Sequence, residues 1–456
     1  MKEKTHFVCE ICGAVYPRWQ GRCDQCGNWN SITEVKIPKS RSKAKSDLGE
    51  SKSAGKIVSL SGFSVKTLER IKTGSVELDR VLGGGMVPGA TILVGGPPGI
   101  GKSTLLLQTA HNVAKDGKRV LYLSGEESTE QIMLRASRLG TLSENLFLLT
   151  EPDLSQFMAE FSANDFSLVV IDSIQSVFIP TVLSSAGSVA QIRESVYALS
   201  EVTKSKGVPL FLVGHITKEG TIAGPKLLEH MVDVVLYFEE ESRAEYRLLK
   251  VFKNRYGVVG EIGVFRMTGC GLEDVLNPSE IFVSPDAEKN PGSVVSVGIE
   301  GIRPFLLEIQ ALVSASSYTY PQRVIRGLDI RRTLLLLAII EKRVGIPLSK
   351  EDCFINIVGG IHIDDPALDV AVVLAVVSSF RDIPVKEKTI ALGELGLTGE
   401  IKPIANLQPR LKEIQRLGYR RAIIPCNMAK KLQDVTLEII EVANLFDVFR
   451  SALETN

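Results

Sequence analysis

The chain carries no net charge, because 53 Lys and Arg balance 53 Asp and Glu over 456 residues. That balance excludes a globally basic nucleic-acid binder, so any contact with DNA or RNA must come from local patches. Long hydrophobic runs are absent as well. The longest, Pro366 to Phe380, is too short to span a bilayer and contains Asp369. No secretory signal pattern is present, since the first apolar stretch is interrupted at Cys9 and Glu10. Cysteine is scarce outside one cluster. Four of seven lie between Cys9 and Cys26, while Cys270, Cys353 and Cys426 are scattered. This usage argues against a disulfide framework and for a metal site in a reducing compartment, so the chain is expected to be cytoplasmic. No internal repeat is evident.

An apolar content of 44% and a charged content of 23% are ordinary for a globular protein, and the length suggests two to four domains. Four segments are expected. Residues 1–34 hold the cysteine cluster. Residues 35–59 are a Ser- and Lys-rich flexible linker, with seven basic residues against Asp47 and Glu50 between Lys36 and Lys56. This linker is either a solvated spacer or an electrostatic tether to a polyanion. Residues 60–278 alternate buried strands with helices, which implies a mainly parallel α/β sheet covered on both faces. Residues 279–456 restart the pattern as a second, α+β unit.

The cluster reads Cys9-x2-Cys12, a ten-residue gap, then Cys23-x2-Cys26. Each pair suits a tight turn that aims two thiolates at one ion, and four thiolates make a closed structural Zn²⁺ site. Redox chemistry is the weaker alternative. Phe7, Tyr16, Trp19 and Trp29 are expected to form the core of this module, with stacking on bases as the other reading.

Gly96-Pro97-Pro98-Gly99-Ile100-Gly101-Lys102-Ser103 matches G-x-x-x-x-G-K-[ST] in full, between a strand and a helix. Its backbone N–H groups approach the phosphates of ATP, Lys102 reaches the β/γ oxygens, and the Ser103 hydroxyl ligates Mg²⁺. Thr104 follows near the α-phosphate. The strand LVVIDS ends in Asp172, whose carboxylate can hold the Mg²⁺ water shell. SGEES places Glu126 and Glu127 beside the γ-phosphate. Glu126 is the first choice to polarise water, with Glu127 in reserve and a pair of helix N-terminal acids as the plain alternative. His215, at the end of another strand, is either a γ-phosphate sensor or a strand-end residue bonded to a loop.

With this loop, LVVIDS, GHITKEG and KNRYG in one order, the chain resembles the bacterial RadA (Sms) family of RecA-superfamily recombination ATPases. The resemblance covers nearly the whole length, with a RecA-like P-loop ATPase core, a zinc ribbon-like module and a C-terminal Lon-peptidase-like domain. It implies a ring-forming, hexameric, DNA-dependent ATPase that acts in recombination and repair by branch migration or translocation. The implied partners are single-stranded and branched DNA and the recombinase RecA or other replication and recombination proteins. In such rings a cation of the neighbouring subunit reaches ATP, and Lys253 and Arg255 of KNRYG match that box. Two loops are expected to face DNA, Ser184–Gln191 and 217–225.

In the Lon-like unit DDPALD places Ala367 where the family has its serine, and KPIANLQPR places Gln408 where it has its lysine. Peptidase chemistry is therefore expected to be absent. The set Arg323, Arg326, Arg331, Arg332, Lys342 and Arg343, beside Tyr318 and Tyr320, is either a track for a DNA backbone or a solvated face. A regulatory RecA-like ring of the KaiC type and an ATP-dependent peptidase are the competing readings.

Overall fold

The computed structural model describes residues 5–9, 15–25, 27–29, 32–36, 69–215, 225–240, 245–280, 282–284, 286–318, 320–359 and 361–454. Most of the predicted linker and the 217–225 loop apart from its last residue lie outside them. Two compact units emerge. The first comprises residues 1–238, 251–258 and 268–272, and the second 239–250, 259–267 and 273–456.

Within the first unit, β1 (Thr5–Cys9), β2 (Val15–Tyr16) and β3 (Ile32–Lys36) form a small antiparallel sheet in the order β2-β1-β3. Helix α1 (Val76–Val81) begins at Ser75, whose side chain accepts from the Leu78 N–H, a standard way to satisfy one orphan donor.

The parallel core follows as β4 (Thr91–Gly96), α2 (Lys102–Lys115), β5 (Val120–Ser124), α3 (Thr129–Leu139), β6 (Leu146–Leu149) and α4 (Leu154–Ala163). It continues with β7 (Leu168–Asp172), α5 (Val189–Ser205), β8 (Leu210–His215), α6 (Pro225–Met231) and β9 (Val234–Glu240). These strands lie side by side in the order β9-β4-β8-β7-β5-β6. The pairs β4–β9, β4–β8, β7–β8, β5–β7 and β5–β6 are all parallel. Residues of β4 and β5 are buried throughout, as expected of strands covered on both faces. One face is filled by Phe157, Phe161 and Phe166, with Phe161 stacked on the other two. Each fully buried side chain of this size stabilises by roughly 1.5–3 kcal/mol. Helix α3 starts with a reciprocal capping box between Ser128 and Gln131 and ends at Gly140, which sits in the left-handed region.

KNRYG follows from the first strand of a hairpin. Strands β10 (Tyr246–Asn254) and β11 (Ile262–Thr268) pair antiparallel from Tyr246↔Arg266 to Lys250↔Ile262, and β12 (Gly271–Asp274) follows.

The second unit is built on β13 (Ser293–Glu300), β14 (Arg303–Ala315), β15 (Arg323–Arg326) and β16 (Glu351–Ile357), ordered β13-β14-β16-β15. Helix α7 (Ile330–Ile339) and the apolar helix α8 (Asp369–Arg381) share its main core. Ten consecutive residues of α8, Asp369 to Ser378, are buried, which explains why its apolar run shows no polar face. A short hairpin of β18 (Glu394–Leu395) and β19 (Ile401–Lys402) falls between β17 (Thr389–Ala391) and α9 (Leu407–Arg416). Strands β17, β20 (Arg421–Pro425) and β21 (Glu438–Val442) form a parallel sheet, and α10 (Leu445–Ala452) closes the unit. The helical stretch from Ile330 to Val344 is two segments. After Ile339 the turn widens to π geometry over Ile340–Val344 and stops at Gly345, at φ +80°.

Candidate functional site

The phosphate loop leaves β4 at Gly96 and enters α2 at Lys102. Gly101 caps α2 at φ +117°, a conformation that side chains rarely adopt. Gly96 is held by packing too, since a Cβ there would lie 2.9 Å from the Phe238 side chain. Lys102 is buried and folds back over the loop. Its Nζ donates to the carbonyls of Gly96 (2.8 Å) and Pro97 (2.9 Å). Desolvation pushes its pKa down to about 8, against the opposing pull of Asp172 and Glu126.

A cavity of about 320 Å³ opens over this loop, lined by Gly99, Gly101, Lys102, Ser103, Thr104, Ser124, Glu126, Glu127, Arg135, Arg138 and Asp172. The fold brings them together because β5 and β7 are adjacent and in register, with Ser124 opposite Asp172. Both strands therefore deliver their C-terminal ends to the edge where α2 begins.

The two glutamates that were equivalent in sequence have different partners. Glu126 accepts a hydrogen bond from Ser173 Oγ. Glu127 is ion-paired with Arg135 of α3, and its N–H donates to Ser124 Oγ at 3.1 Å. Tyr122 donates its hydroxyl to Asp172 Oδ2 at 2.6 Å, and burial, first of all, raises the phenol pKa well above its ordinary value. Tyr122, Ser173, Arg135 and Arg138 escaped the sequence reading. The arginines had a legible signal, a three-residue spacing on the helix that follows SGEES. Tyr122 and Ser173 had none, because their partners are distant in sequence or hidden in strand ends. The side chain of His215 lies outside the described residues.

Lys253 and Arg255 are not among the residues lining this cavity. Lys253 Nζ donates to the carbonyls of Glu229 (2.7 Å), Val232 (2.7 Å) and His230 (3.4 Å), and so caps the C-terminal end of α6. Arg255 donates to Asp233 Oδ1 at 3.0 Å but remains 55% exposed. Asn254 bridges the box to Val81 O at 3.2 Å and accepts from the Tyr256 N–H at 2.8 Å. Gly257 is required by that packing, since a Cβ there would meet Asn254 Nδ2 at 2.7 Å.

Of the expected DNA-facing loop, Gln191 points inward. It is buried, and its side chain bonds Ile179, Val182 and Ser184, so it pins the loop instead of presenting it.

In the N-terminal module Cys23 opens a tight turn. The Gly27 N–H donates to Cys23 O (2.8 Å) and the Cys23 N–H to Asn28 O (2.9 Å), with Gly27 at φ +75°. Such a turn suits one thiolate pair of a closed metal site. Cys12, Cys26 and the Cys9 side chain lie outside the described residues, and no group of metal-ligating side chains is found among the described ones. The expectation that both tryptophans form the core is corrected. Cys23 and Ile32 with Phe7 and Tyr16 make that core, while Trp19 and Trp29 are exposed.

In the Lon-like unit Ala367 is buried in a 3-10 turn, and Gln408 exchanges hydrogen bonds with the Gln433 backbone. Two residues from each, Asp365 and Arg410 form a buried ion pair at 2.7 Å. Arg410 also donates to Val297 O, and Asp365 accepts the Ile299 N–H at 2.8 Å. The basic set is dispersed. Arg323 donates to the carbonyls of Gln322, Leu348 and Glu351, and Arg332 pairs with Asp369. Arg326, Arg331 and Lys342 remain exposed.

Residues 64–221 match a family model described as "AAA domain" and residues 7–34 one described as "Rubredoxin metal binding domain". Residues 335–428 match "Subunit ChlI of Mg-chelatase". The DNA repair protein RadA of Bacillus subtilis is 43% identical over 99% of both chains. That of Escherichia coli is 45% identical over 97% of both. That of Aquifex aeolicus is 46% identical over 97% of this chain and 98% of its own. With the phosphate loop, Asp172 and Glu126 around one cavity, and with this identity over nearly the full length, the chain belongs to the RadA family, as an ATPase of DNA repair and recombination.

Proposed function

We propose that the chain is a DNA-dependent ATPase motor that works as a homo-oligomeric, hexameric ring in the cytoplasm and promotes branch migration on recombination intermediates. The observation that carries the reading is the convergence of Lys102, Asp172 and Glu126 on one cavity beneath a complete phosphate loop. Functionally, residues 1–34 serve as the zinc module, 35–59 as a linker, 60–278 as the ATPase and 279–456 as a scaffold without a Ser–Lys dyad.

The donor set fits magnesium and ATP. Ser103 and Asp172 line the same cavity and would hold the ion, which neutralises phosphate charge when bound. Lys102 exchanges its two loop carbonyls for phosphate oxygens. Glu126 is assigned as the residue that orients and deprotonates the attacking water, because Glu127 is already neutralised by Arg135. Cys9, Cys12, Cys23 and Cys26 would hold zinc, which supplies the cross-link for a module with a small core.

The two KNRYG cations take different roles. Arg255 is half exposed and acts on the ATP of the adjacent subunit. Lys253 caps α6, which follows the proposed DNA loop, and couples that loop to the box. Single-stranded and branched DNA are the substrates, and RecA or another recombination protein is the partner.

The test is ATP turnover with and without forked DNA, followed together with strand displacement. Stimulation by DNA is expected, and Lys102→Ala abolishes turnover. A turnover rate indifferent to every DNA structure would favour a KaiC-type regulatory ring. Casein cleavage would favour the peptidase reading.

A further inference from the structure

Both tryptophans of the chain lie in the N-terminal module, and both are largely exposed, Trp19 at 59% and Trp29 at 71%. Tryptophan is highly buried on average, yet among the described residues the core of this module is Cys23 and Ile32 with Phe7 and Tyr16 packed against them. The two indoles flank Gly21. A Cβ built there would lie 3.8 Å from each ring, within van der Waals reach of both, so the two indoles border one spot on the surface. Each has a fixed partner. The Trp19 indole N–H donates to Ile32 O at 3.1 Å. Trp29 is bridged to Arg22 through the backbone, and the Arg22 guanidinium, tied to Gly27 O at 2.9 Å, sits 5.9 Å from the Trp29 ring centroid. Exposed indoles held in place, with a cation over one face of Trp29, form a surface for planar groups borne on a polyanion.

Charge selects among the planar ligands. Among the described residues, the neighbouring exposed ones include Arg18 and Asp24 and form no apolar rim of the kind that an amphipathic helix would need. The sequence from Lys36 to Lys56 adds seven basic residues against two acidic ones. That excess draws in phosphates, and bases stack on aromatic faces with little regard to sequence. We propose that Trp19 and Trp29, with Arg22, form a stacking platform for the unpaired bases of single-stranded DNA. The proposal rests on the DNA-acting reading above and names a surface for it.

Because these are the two tryptophans of the chain, intrinsic emission of the full-length, zinc-loaded protein reports on the platform directly. Oligothymidylate carrying a 5′ dye is titrated while dye anisotropy and tryptophan emission are followed together. Emission is expected to fall along the anisotropy curve, and Trp19→Ala with Trp29→Ala to weaken binding about tenfold or more, with zinc content retained. Trp29→Phe combined with Trp19→Phe restores most of the affinity. Oligonucleotide that binds without quenching, or a double alanine variant with wild-type affinity, overturns the platform and leaves the motor reading standing. If the wild-type chain binds no oligonucleotide at all, both fall.

Discussion

Arg255→Ala is informative only if the arginine is not a structural prop, and the geometry allows that to be judged beforehand. Its partner Asp233 has a 9% exposed side chain, while Arg255 itself is 55% exposed. A pair open on one side is worth about 0–1 kcal/mol. Asp233 does more. Its Oδ2 accepts the Thr91 N–H at 3.1 Å, in a bond buried at the start of β4. Removing that acceptor leaves a buried donor without a partner, at about 1–3 kcal/mol. With the ion pair added, Asp233→Ala should lower unfolding stability by about 1–4 kcal/mol, and Arg255→Ala by no more than about 1 kcal/mol. Urea unfolding compares the two. A trans-acting arginine is worth about 10³–10⁵ in rate, so Arg255→Ala should be folded, near wild type in stability and severely defective in ATP turnover. Mixed with Lys102→Ala subunits, it should recover part of the turnover at interfaces that pair an intact phosphate loop with an intact Arg255. The reasoning fails if Arg255→Ala loses as much stability as Asp233→Ala, or if the mixture recovers nothing.

Three further outcomes are expected. Desolvation pushes the Lys102 pKa down to about 8 and bound phosphates favour its charged form, so nucleotide binding should take up a proton above pH 8. Calorimetry in buffers of different ionisation enthalpy measures this uptake, and none at pH 9 contradicts the desolvation argument. Arg410→Met should destabilise the second unit by about 3–5 kcal/mol, because it leaves Asp365 charged and buried. Restoring the dyad by Ala367→Ser with Gln408→Lys should produce no casein cleavage while Arg410 and Asp365 remain. Chelation of zinc should shift tryptophan emission, because Trp19 and Trp29 both sit in the module, and should leave the unfolding of the ATPase core unchanged.

The local patterns were legible because each is a short-range physical requirement. G-x-x-x-x-G-K-S between a strand and a helix specifies a phosphate loop, and α2 does open at Lys102, directly after Gly101. Buried apolar runs between helices specify a parallel sheet, and the six core strands do pair in parallel. Paired cysteines at fixed spacing specify a metal module. Tertiary structure decided the rest, since hydrogen-bond partners and solvent exposure arise between segments far apart in the chain. Glu126 and Glu127 are adjacent and chemically identical, and Ser173 and Arg135 tell them apart. Lys253 and Arg255 are two cations in one box. The open end of α6 claims the first, and Asp233 holds the second at the surface. The tryptophans looked like core because large apolar rings usually are. A module this small closes its interior with Cys23, Ile32, Phe7 and Tyr16, and so leaves both indoles in solvent.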